Sequence, residues 1–456
     1  MDAVAMTGRR AFLKRLVVTG AIAGLVRDGY SVRSIGATAS STQLPRGHGP
    51  FLDELERTSI QFFQEAAHAR TGQILDRKRA DGEVDGRTVG SIAATGFGLT
   101  ALCIADHRGW MERDAVRDQV LRSLHHLRHE MGHVRGFFYH FHDWATGERI
   151  WRCELSSIDT AILMCGVLCC RAHFRGRRGL EIRTLATELY ERVDWPWMLN
   201  GGDTFAMGWL PEATPRARTS LGSDPGIGRF LASRWDHYCE LMMLNLLALA
   251  SPTHPVEART WRAWSRPVRN YHGRPFVWSP APLFVHQYSH AWFDFRGRRD
   301  AGIDWFENSV EATRAHRAWS LERSDRFPEW SEELWGVTSS DSKKGYTAWG
   351  GPPDSGPLDG SIVPCAAAGS LPFLPGDCLR TLRHQRECYG DRIWKRYGFV
   401  DAFNPHNGWV NPDVVGIDVG ITLLMAENAR TGFVWKTMKR DLDLRRGMDR
   451  ALCDLP

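Results

Sequence analysis

The chain of 456 residues lacks most of the patterns that mark metalloenzymes and nucleotide-binding proteins. Its ten cysteines include no C-x-x-C and no Cys/His cluster with zinc spacing. No G-x-G-x-x-G opens a helix after a strand, and there is no P-loop. The sequence therefore predicts no dedicated metal site and no cofactor.

Neither sign of charge predominates, and long apolar runs are also scarce. The 58 basic and 53 acidic residues leave a net charge of +5, and the basic residues are scattered rather than gathered on one face. This distribution argues against a nucleic-acid partner. The apolar stretch 16–26 is too short and too rich in glycine to span a bilayer. We also expect no stable membrane span in the mature chain.

The N-terminus has the pattern of an export signal. Arg9 and Arg10 are followed by Phe-Leu-Lys, by the apolar stretch 16–26 and by the small-x-small sequence Ala-Thr-Ala at 37–39. This order predicts a twin-arginine signal over residues 1–39, with the twin-arginine translocase as a partner during export. The mature domain, residues 40–456, is then expected to work in the periplasm or outside the cell. A basic amphipathic helix is the alternative interpretation.

The cysteines are expected to be structural. Five of them lie inside apolar helical runs, where small core residues are common: Cys103, Cys165, Cys169, Cys170 and Cys239. Cys378 and Cys388 could form a disulfide, but an inert reduced pair is the preferred interpretation.

Apolar residues recur at helical spacing along the chain, whereas strand-like alternation is rare and short, as at 136–141 and 276–278. The predicted helices are 52–67, 90–107, 112–130, 156–174, 179–193, 236–250, 257–270, 300–318, 360–370, 375–389, 418–429 and 441–452. Segments 91–105, 158–170 and 240–250 are apolar on every face, whereas 112–130 and 181–192 are amphipathic. An inner ring buried on all sides and an outer ring facing water explain this alternation. The predicted fold is all-α, a single (α/α)6 barrel.

Four connections are long and rich in aromatic residues, glycine and proline: 131–155, 194–235, 271–299 and 329–360. Long structured loops in a compact domain tend to be functional, so we expect them to form a cleft at one end of the barrel. Segment 210–230 has the composition of a mobile loop. Many of the 19 tryptophans, including Trp144, Trp209, Trp349 and Trp409, adjoin loop-forming residues and are candidates for sugar-binding positions.

Acidic residues stand where aromatic loops lead into apolar helices. Glu240 precedes LMMLNLLALA, Asp418 precedes ITLLMAENA, and Glu154 and Asp159 flank the start of TAILMCGVLCC. Paired carboxyl groups can supply the acid and the base that cleave a glycosidic bond, and aromatic faces can hold the C–H surfaces of a sugar. The pattern therefore favours an enzyme that cleaves a sugar chain.

Long segments of the chain resemble the bacterial glucoamylase-like family that contains the endo-β-1,2-glucanases. They include SIAATGFGLTAL at 91–102, GFFYHF at 136–141, SSIDTA at 156–161, PLFVHQYSHAWFDFR at 282–296, GYTAWGGPP at 345–353, AAAGSLPFLP at 366–375, RYGFVDAFNP at 396–405 and NPDVVGIDVG at 411–420. The match covers nearly all of 50–440. It implies an (α/α)6 barrel, in agreement with the pattern above, and inverting hydrolysis of β-1,2-glucan.

The resemblance favours Glu240 and Asp418 as the catalytic pair. Glu240 is the candidate acid, because Trp235, Tyr238 and the apolar helix could partly desolvate it. Asp418 is the candidate base, because the helix N-terminus would keep it ionised. The plainer interpretations are a first-turn glutamate that stabilises its helix and an ordinary N-cap aspartate.

Several other residues are candidates for substrate binding. Asp159, Glu154 and Glu212 are rivals for the catalytic roles, although Ser156 and Asp159 also fit a variant of the capping box. Glu148 is expected to pair with its neighbour Arg149. The run His286, Gln287, Tyr288 could bind sugar hydroxyl groups or form a buried network that braces loops. The remaining candidates are Trp209, Tyr346, Trp349, Asp401 and Asn404, of which Trp349, beside two glycines, is the preferred stacking platform.

The leading hypothesis is a periplasmic endo-β-1,2-glucanase that acts on a glucan or its oligosaccharides, with a monomer as the expected state. A transglycosylase or an exo-acting enzyme on the same glucans is the first alternative, because membership of a fold does not determine the reaction. A non-catalytic carbohydrate-binding barrel is another. A polysaccharide lyase, which would use His286 with Tyr288, is the fourth.

Overall fold

The computed structural model describes residues 44–45, 47–212, 228–353 and 356–452, and structural statements here refer to these residues. The predicted signal 1–39 and most of the predicted mobile loop 210–230 lie outside them. The described chain contains fifteen α-helices: α1 Gly49–Glu65, α2 Ile92–Arg108, α3 Arg113–His129, α4 Ser157–His173, α5 Leu180–Glu191, α6 Trp195–Leu199, α7 Leu241–Ala250, α8 Ala258–Ala263, α9 Tyr288–Trp292, α10 Trp305–Leu321, α11 Pro364–Ala368, α12 Pro375–Tyr389, α13 Gly416–Arg430, α14 Phe433–Met438 and α15 Leu442–Ala451.

Strands are short and occur only in the connections of this part of the chain. Each has two to four residues: β1 Arg77–Arg79, β2 Val89–Ser91, β3 His133–Val134, β4 Phe137–Phe138, β5 Phe141–Asp143, β6 Leu155–Ser156, β7 Gly208–Leu210, β8 Arg229–Phe230, β9 Val268–Tyr271, β10 Arg274–Val277, β11 Arg299–Asp300, β12 Ile303–Asp304, β13 Trp394–Lys395, β14 Gly398–Phe399 and β15 Asp413–Val415. All pairings between them are antiparallel, and most join neighbouring segments, although β1 pairs with β15.

Two concentric rings of helices form the fold. The helices α2, α4, α7, α9, α11 and α13 are buried on nearly every face, and α13 packs against α2 to close the inner ring. The helices α1, α3, α5, α8, α10 and α12 alternate with them along the chain and bury one face each. The prediction of an all-α (α/α)6 barrel is confirmed.

The inner helices all run in the same direction, because an outer helix returns the chain after each of them. Their N-termini therefore gather at one end of the barrel. Strands β2, β6 and β15 lead directly into α2, α4 and α13 and help to build this end. Of the long loops predicted to form a cleft, 131–155, 271–287 and the described parts of 194–235 and 329–360 lead into inner helices and so belong to the same end. Residues 293–299 follow α9 and lie at the opposite end, which corrects that part of the prediction.

Most predicted helix bounds are confirmed to within a few residues, and the differences have local causes. The predicted helix 257–270 ends at Ala263, because Pro267 precludes its continuation and 268–271 pairs as a strand. The predicted helix 300–318 begins at Trp305, because residues 299–304 form a hairpin and Asp304 caps the helix by accepting hydrogen bonds from the Phe306 and Glu307 amides. The predicted helix 360–370 is the single turn Pro364–Ala368.

Glycines allow the inner helices α2 and α4 to approach closely. A β-carbon at Gly166 would lie 2.1 Å from the carbonyl oxygen of Gly96. Backbone atoms cannot yield as a flexible side chain can, so this contact requires glycine. We expect Gly166→Ala to lower the free energy of unfolding by about 1–3 kcal/mol or more, as measured by urea denaturation.

The matched control for this prediction is Gly376→Ala in the first turn of α12. There the nearest atom to a new β-carbon is Arg380 Nη1 at 3.7 Å. This change should leave stability unchanged or raise it by up to about 1 kcal/mol, because alanine favours helix. Equal effects of the two substitutions would contradict the close-packing argument.

Contacts between arginines and buried glutamates brace the opposite end of the barrel, where the inner helices end. Arg108 Nη2 lies 2.6 Å from Glu427 Oε2, and Arg430 Nη1 lies 2.8 Å from Glu56 Oε2. Burial, followed by the charge of Glu427, raises the pKa of Glu56 to about 8 against the opposing effect of the two arginines. Basic residues at the ends of α2 and α13 also complement the helix dipoles.

The raised pKa of Glu56 predicts that Glu56→Gln gains stability relative to the wild type as the pH rises. A carboxyl group with a folded-state pKa near 8 and an ordinary value of 4.5 contributes its stabilisation at low pH. That contribution is lost as the pH rises through this window, by at most about 1.4 kcal/mol per pH unit. Relative to the wild type, the variant should gain stability from pH 5 to pH 9 in urea denaturation. A difference independent of pH would contradict the assignment.

Eight of the nine cysteines in the described residues are buried, and only Cys388 is exposed. The five cysteines assigned to apolar helices are confirmed as core residues, although Cys239 precedes α7 rather than lying within it. Cys378 and Cys388 are both free thiols, which agrees with the preferred reduced state. Among the described helices, none is both long and apolar enough to cross a membrane.

Candidate active site

A cavity opens to solvent where the N-termini of the inner helices meet. Four carboxyl groups line it, contributed by the start of α4, α7 and α13 and by the segment before β6. Aromatic, polar and apolar side chains complete the wall. The lining residues are Glu154, Asp159, Glu240 and Asp418, with Trp235, Phe284, Tyr288 and Tyr346, and with His140, Ser156, Ile158, Ile162, Met207, Leu231, Ser339 and Ile417.

Glu240 is the N-cap residue of α7, but its side chain does not cap that helix. Ser289 of the neighbouring α9 supplies the capping contacts instead. Its hydroxyl donates to the Glu240 carbonyl at 2.8 Å and accepts from the Met243 amide at 3.1 Å. The Glu240 carboxyl group lines the cavity, so the plain interpretation of a first-turn glutamate does not account for its placement.

Asp418 is the third residue of α13, and the N-cap is Val415 rather than Asp418. The aspartate is 7% exposed and lines the cavity. The thiol of Cys365 and the carboxyl group of Asp401 are both within hydrogen-bonding contact of its side chain. The N-terminus of α13 favours the ionised form of a carboxyl group at this position.

His140 links the two other carboxyl groups of the cavity. Its Nδ1 lies 3.1 Å from Glu154 Oε1, and its Nε2 lies 3.4 Å from Asp159 Oδ2. Ser156 caps α4 by accepting from the Asp159 amide, and its hydroxyl donates to Asp159 Oδ2 at 2.6 Å. The predicted capping interaction at Ser156 is therefore confirmed, and Asp159 lines the cavity as well.

The aromatic wall is held rigidly by its neighbours. Trp235 Nε1 donates to the Ser157 hydroxyl at 2.8 Å, and Ser157 in turn donates to the Ala206 carbonyl at 2.8 Å. Tyr288 packs edge-on against Phe284, with ring centroids 5.2 Å apart. Preorganised rings of this kind can hold the apolar faces of a sugar without a large loss of side-chain entropy.

Three predicted substrate contacts lie outside the described cavity lining. Glu212 accepts a two-fold hydrogen bond from Arg149 at 2.6 and 3.3 Å, which lowers the pKa of Glu212 and makes it unsuitable as an acid. Arg149 thus pairs with Glu212 and not with Glu148, which corrects the expected local salt bridge. Trp349, the preferred stacking platform, is only 5% exposed and donates from Nε1 to Ser340 Oγ. Trp209 packs against Trp197, with centroids 5.6 Å apart.

Four further candidates are buried beneath the cavity wall, where they brace neighbouring segments. Gln287 Nε2 donates to the Ala366 carbonyl at 2.9 Å and so ties α9 to α11. His286 is hydrogen-bonded to the Tyr238 hydroxyl, and burial lowers its pKa well below the ordinary value. Asn404 and Asp401 are 1% and 4% exposed. This placement favours the predicted bracing network over direct contact with sugar hydroxyl groups.

The sequence interpretation missed His140 and undervalued Trp235. His140 lies in the GFFYHF segment, one residue after a tyrosine, and nothing local shows that it meets Glu154 and Asp159 across a turn. Ser339 also lines the cavity but stands in a loop without periodicity. His140 could have been noticed because it lies in the aromatic segment 136–141, which precedes the candidate Glu154.

Chemically, the cavity can place an acid and a base on a sugar held between aromatic rings. Its carboxyl groups come from three inner helices and one loop, so they surround the space rather than share one face. Crowded carboxyl groups favour the protonated form of some of them, which is the requirement for a general acid beside an ionised base. Within the described residues, no group of three or more His, Cys, Asp or Glu side chains is arranged so that it could hold a metal ion.

Comparison with known proteins agrees with this architecture. Residues 232–441 match the family model Glycoamylase, described as "Putative glucoamylase". A relative from Parabacteroides distasonis, an exo-β-1,2-glucooligosaccharide sophorohydrolase (non-reducing end), is 25% identical over 448 residues, which are 91% of this chain. The chain spans 59% of the length of that relative.

Solved structures share the whole barrel. A "putative glucoamylase" from Bacteroides uniformis superposes with a TM-score of 0.78 at 25% identity, over 88% of this chain and 96% of that chain. An endo-β-1,2-glucanase from Chitinophaga pinensis, in complex with sophorotriose and glucose, superposes with a TM-score of 0.80 at 23% identity, over 89% and 98% of the two chains. With its two helical rings and its carboxylate-lined cavity, the chain is similar to these proteins, and residues 232–441 carry the match to the glucoamylase family model.

Proposed function

We propose that the protein is a glycoside hydrolase that cleaves β-1,2-glucan by an inverting acid/base mechanism. The observation that carries this proposal is the cavity itself, in which Glu240 and Asp418 face a common space walled by tryptophan, tyrosine and phenylalanine. The names of the relative from Parabacteroides distasonis and of the structure from Chitinophaga pinensis support β-1,2-linked glucose as the substrate class.

In the proposed mechanism Glu240 is the general acid and Asp418 is the general base. Glu240 donates a proton to the glycosidic oxygen as the bond to the anomeric carbon breaks. Asp418 removes a proton from water, whose oxygen bonds to the opposite face of that carbon. A β-linkage therefore yields an α-anomer. Inverting enzymes keep their two carboxyl groups roughly 6.5–9.5 Å apart to leave room for the water.

Glu154, Asp159 and His140 are the proposed hydroxyl-binding group of the cavity. Their mutual contacts fix the two carboxyl groups on one wall, so they can accept hydrogen bonds from a sugar without first reorganising. Trp235, Tyr288 and Tyr346 are the proposed sugar-stacking residues, a role for which aromatic side chains are suited.

We propose endo action, with release of disaccharides from one chain end as the alternative that the Parabacteroides distasonis relative favours. The test incubates the purified protein with linear β-1,2-glucan and follows the products by chromatography and by anomer-resolved NMR. A ladder of oligosaccharides that first appear as α-anomers is expected. Disaccharide alone would indicate exo action, and products longer than the substrate would indicate transfer.

The control is the double variant Glu240→Gln, Asp418→Asn, compared with Glu181→Gln on the exposed face of α5. Only the double variant should lose activity. If the wild type leaves β-1,2-glucan, laminarin, cellulose oligomers and α-glucans all intact, the hydrolase proposal fails. Binding of β-1,2-glucan without turnover would then favour the non-catalytic barrel.

We propose a periplasmic location on the strength of the Arg9, Arg10 pattern and the apolar stretch that follows it. The test fuses residues 1–43 to a fluorescent protein that folds in the cytoplasm. We expect periplasmic fluorescence, and its loss when both arginines are replaced by lysine, because the export machinery reads the arginine pair. Export that survives the double replacement would contradict a twin-arginine signal.

A further inference from the structure

A second carboxyl group lies directly behind Asp418 and takes no part in the proposed mechanism. Asp401 follows β14 and is 4% exposed. Its Oδ2 accepts hydrogen bonds from the Asp341 amide and from Asn411 Nδ2, each at 2.9 Å. These two donors fix the orientation of its carboxyl group within the wall of the cavity.

The side chain of Asp418 lies within hydrogen-bonding reach of the same carboxyl group, and both residues line one small pocket. The Oδ1 of Asp401 is buried and receives no hydrogen bond from an N–H or hydroxyl group of the described residues. Two carboxyl groups can share a hydrogen bond only if one of them keeps its proton, because two carboxylates are acceptors alone. A hydrogen bond between Asp401 and Asp418 therefore requires a proton.

The charged groups around Asp401 indicate which partner holds this proton. Arg77 is the nearby cation, but Asp341 at 2.6 Å and Asp76 at 3.2 Å already compensate its charge. Cys365 contributes only a buried thiol to the same neighbourhood. Burial, followed by the charges of Asp418 and Asp341, raises the pKa of Asp401 well above its ordinary value. Asp418, at a helix N-terminus, is the better site for the negative charge.

Asp418 also lies between two spaces. It lines the active-site cavity on one side and, on the other, a smaller pocket that Asp401, Cys365 and Thr422 also line. Apolar packing alone therefore does not hold its carboxyl group in one orientation. A directional hydrogen bond from a fixed neighbour can do so.

We propose that Asp401 is a positioning residue that stays a neutral carboxylic acid and donates its O–H to Asp418, holding the Asp418 carboxylate towards the active-site cavity. The inference rests on the proposed function, in which Asp418 is the base. The Asp401 proton is not consumed: the proton that Asp418 takes from water returns to solvent after each turnover. Such a donor stabilises the ionised base, as a hydrogen bond to the charged form does in general.

Two substitutions of similar size test the proposal. Asp401→Asn keeps a neutral donor, so kcat should stay within about three-fold of the wild type and the acid limb of the kcat/KM profile should not move. Asp401→Leu removes the donor, so kcat should fall about 10- to 100-fold with little change in KM. Its acid limb should move to higher pH by about one to two units.

The asparagine variant alone can overturn the proposal. If Asp401 were ionised in the wild type, Asp401→Asn would remove a negative charge beside Asp418 and move the acid limb to lower pH. Because this variant retains the hydrogen-bonding shape of the native residue, the test stands even if Asp401→Leu fails to fold.

A spectroscopic measurement separates this inference from the proposed function. Difference infrared spectra of the wild type against Asp401→Asn at neutral pH, with carbon-13-labelled aspartate, should show a carboxylic acid C=O band that only the wild type has. Its absence would overturn the neutral Asp401 whether or not the protein hydrolyses glucan. If the band is present but the protein hydrolyses no glucan, the neutral Asp401 is supported and the proposed reaction is rejected.

Discussion

Replacing Asp418 with asparagine should lower kcat for β-1,2-glucan about 10²- to 10⁴-fold, the range that a general base supplies. The side chain lines the cavity at the start of α13, so the loss follows from removing the group that activates water. The fold should persist, since the amide oxygen of the new asparagine can accept the hydrogen bond that Asp401 donates. Steady-state kinetics and thermal melting measure the two effects.

The loss in Asp418→Asn should be independent of the leaving group, because water activation is required for every substrate. An aryl β-sophoroside and the natural glucan should therefore suffer similar losses in this variant. Glu181→Gln, on the exposed face of α5, is the control and should match the wild type. Full activity in Asp418→Asn would move the base to Asp159 or Glu154, the other carboxyl groups of the cavity.

Replacing Glu240 with glutamine should produce a loss of comparable size on the glucan, about 10²- to 10⁴-fold. Here the cause is the missing proton for the departing glycosidic oxygen. Stability should change little, because the capping contacts at the start of α7 come from Ser289 and not from the glutamate side chain. Kinetics on β-1,2-glucan and urea denaturation give the two quantities.

Leaving-group dependence separates this variant from the previous one. A nitrophenolate leaves without protonation, so an aryl β-sophoroside should recover much of its rate in Glu240→Gln but not in Asp418→Asn. Equal losses on both substrates would show that Glu240 is not the acid. In that case Glu154 and Asp159, the carboxyl groups that contact His140, become the next residues to substitute.

The barrel could be predicted because its sequence pattern is strong. Inner helices such as α7 are apolar on every side and outer helices such as α12 on one, so the number and order of layers follow from periodicity. Helix ends were less predictable. The short β-hairpin at 299–304 and the single-turn helix α11 depend on contacts with distant segments, which local propensity does not contain.

The site was partly predictable for the same reason. In a barrel with parallel inner helices, acids at helix N-termini must meet, and Glu240, Asp418 and Asp159 do line one cavity. For polar and aromatic residues elsewhere in the loops, the sequence did not distinguish buried residues from sugar-binding ones. Trp349 and Asn404 have the chemistry of sugar-binding residues, but both are buried by tertiary packing that the sequence does not reveal. Conversely, His140 enters the site only through the folding of its loop.

The reactivity of the cysteine thiols can show which parts of the structure open. In the described residues only Cys388 reaches solvent, and the other eight cysteines are spread through the core, from α2 to α12. A thiol reagent should therefore modify Cys388 at once and the others only when the structure opens locally or globally. The rates at which these eight thiols are modified would rank the opening free energies of the segments that contain them, among them α2, α4, α11 and α12.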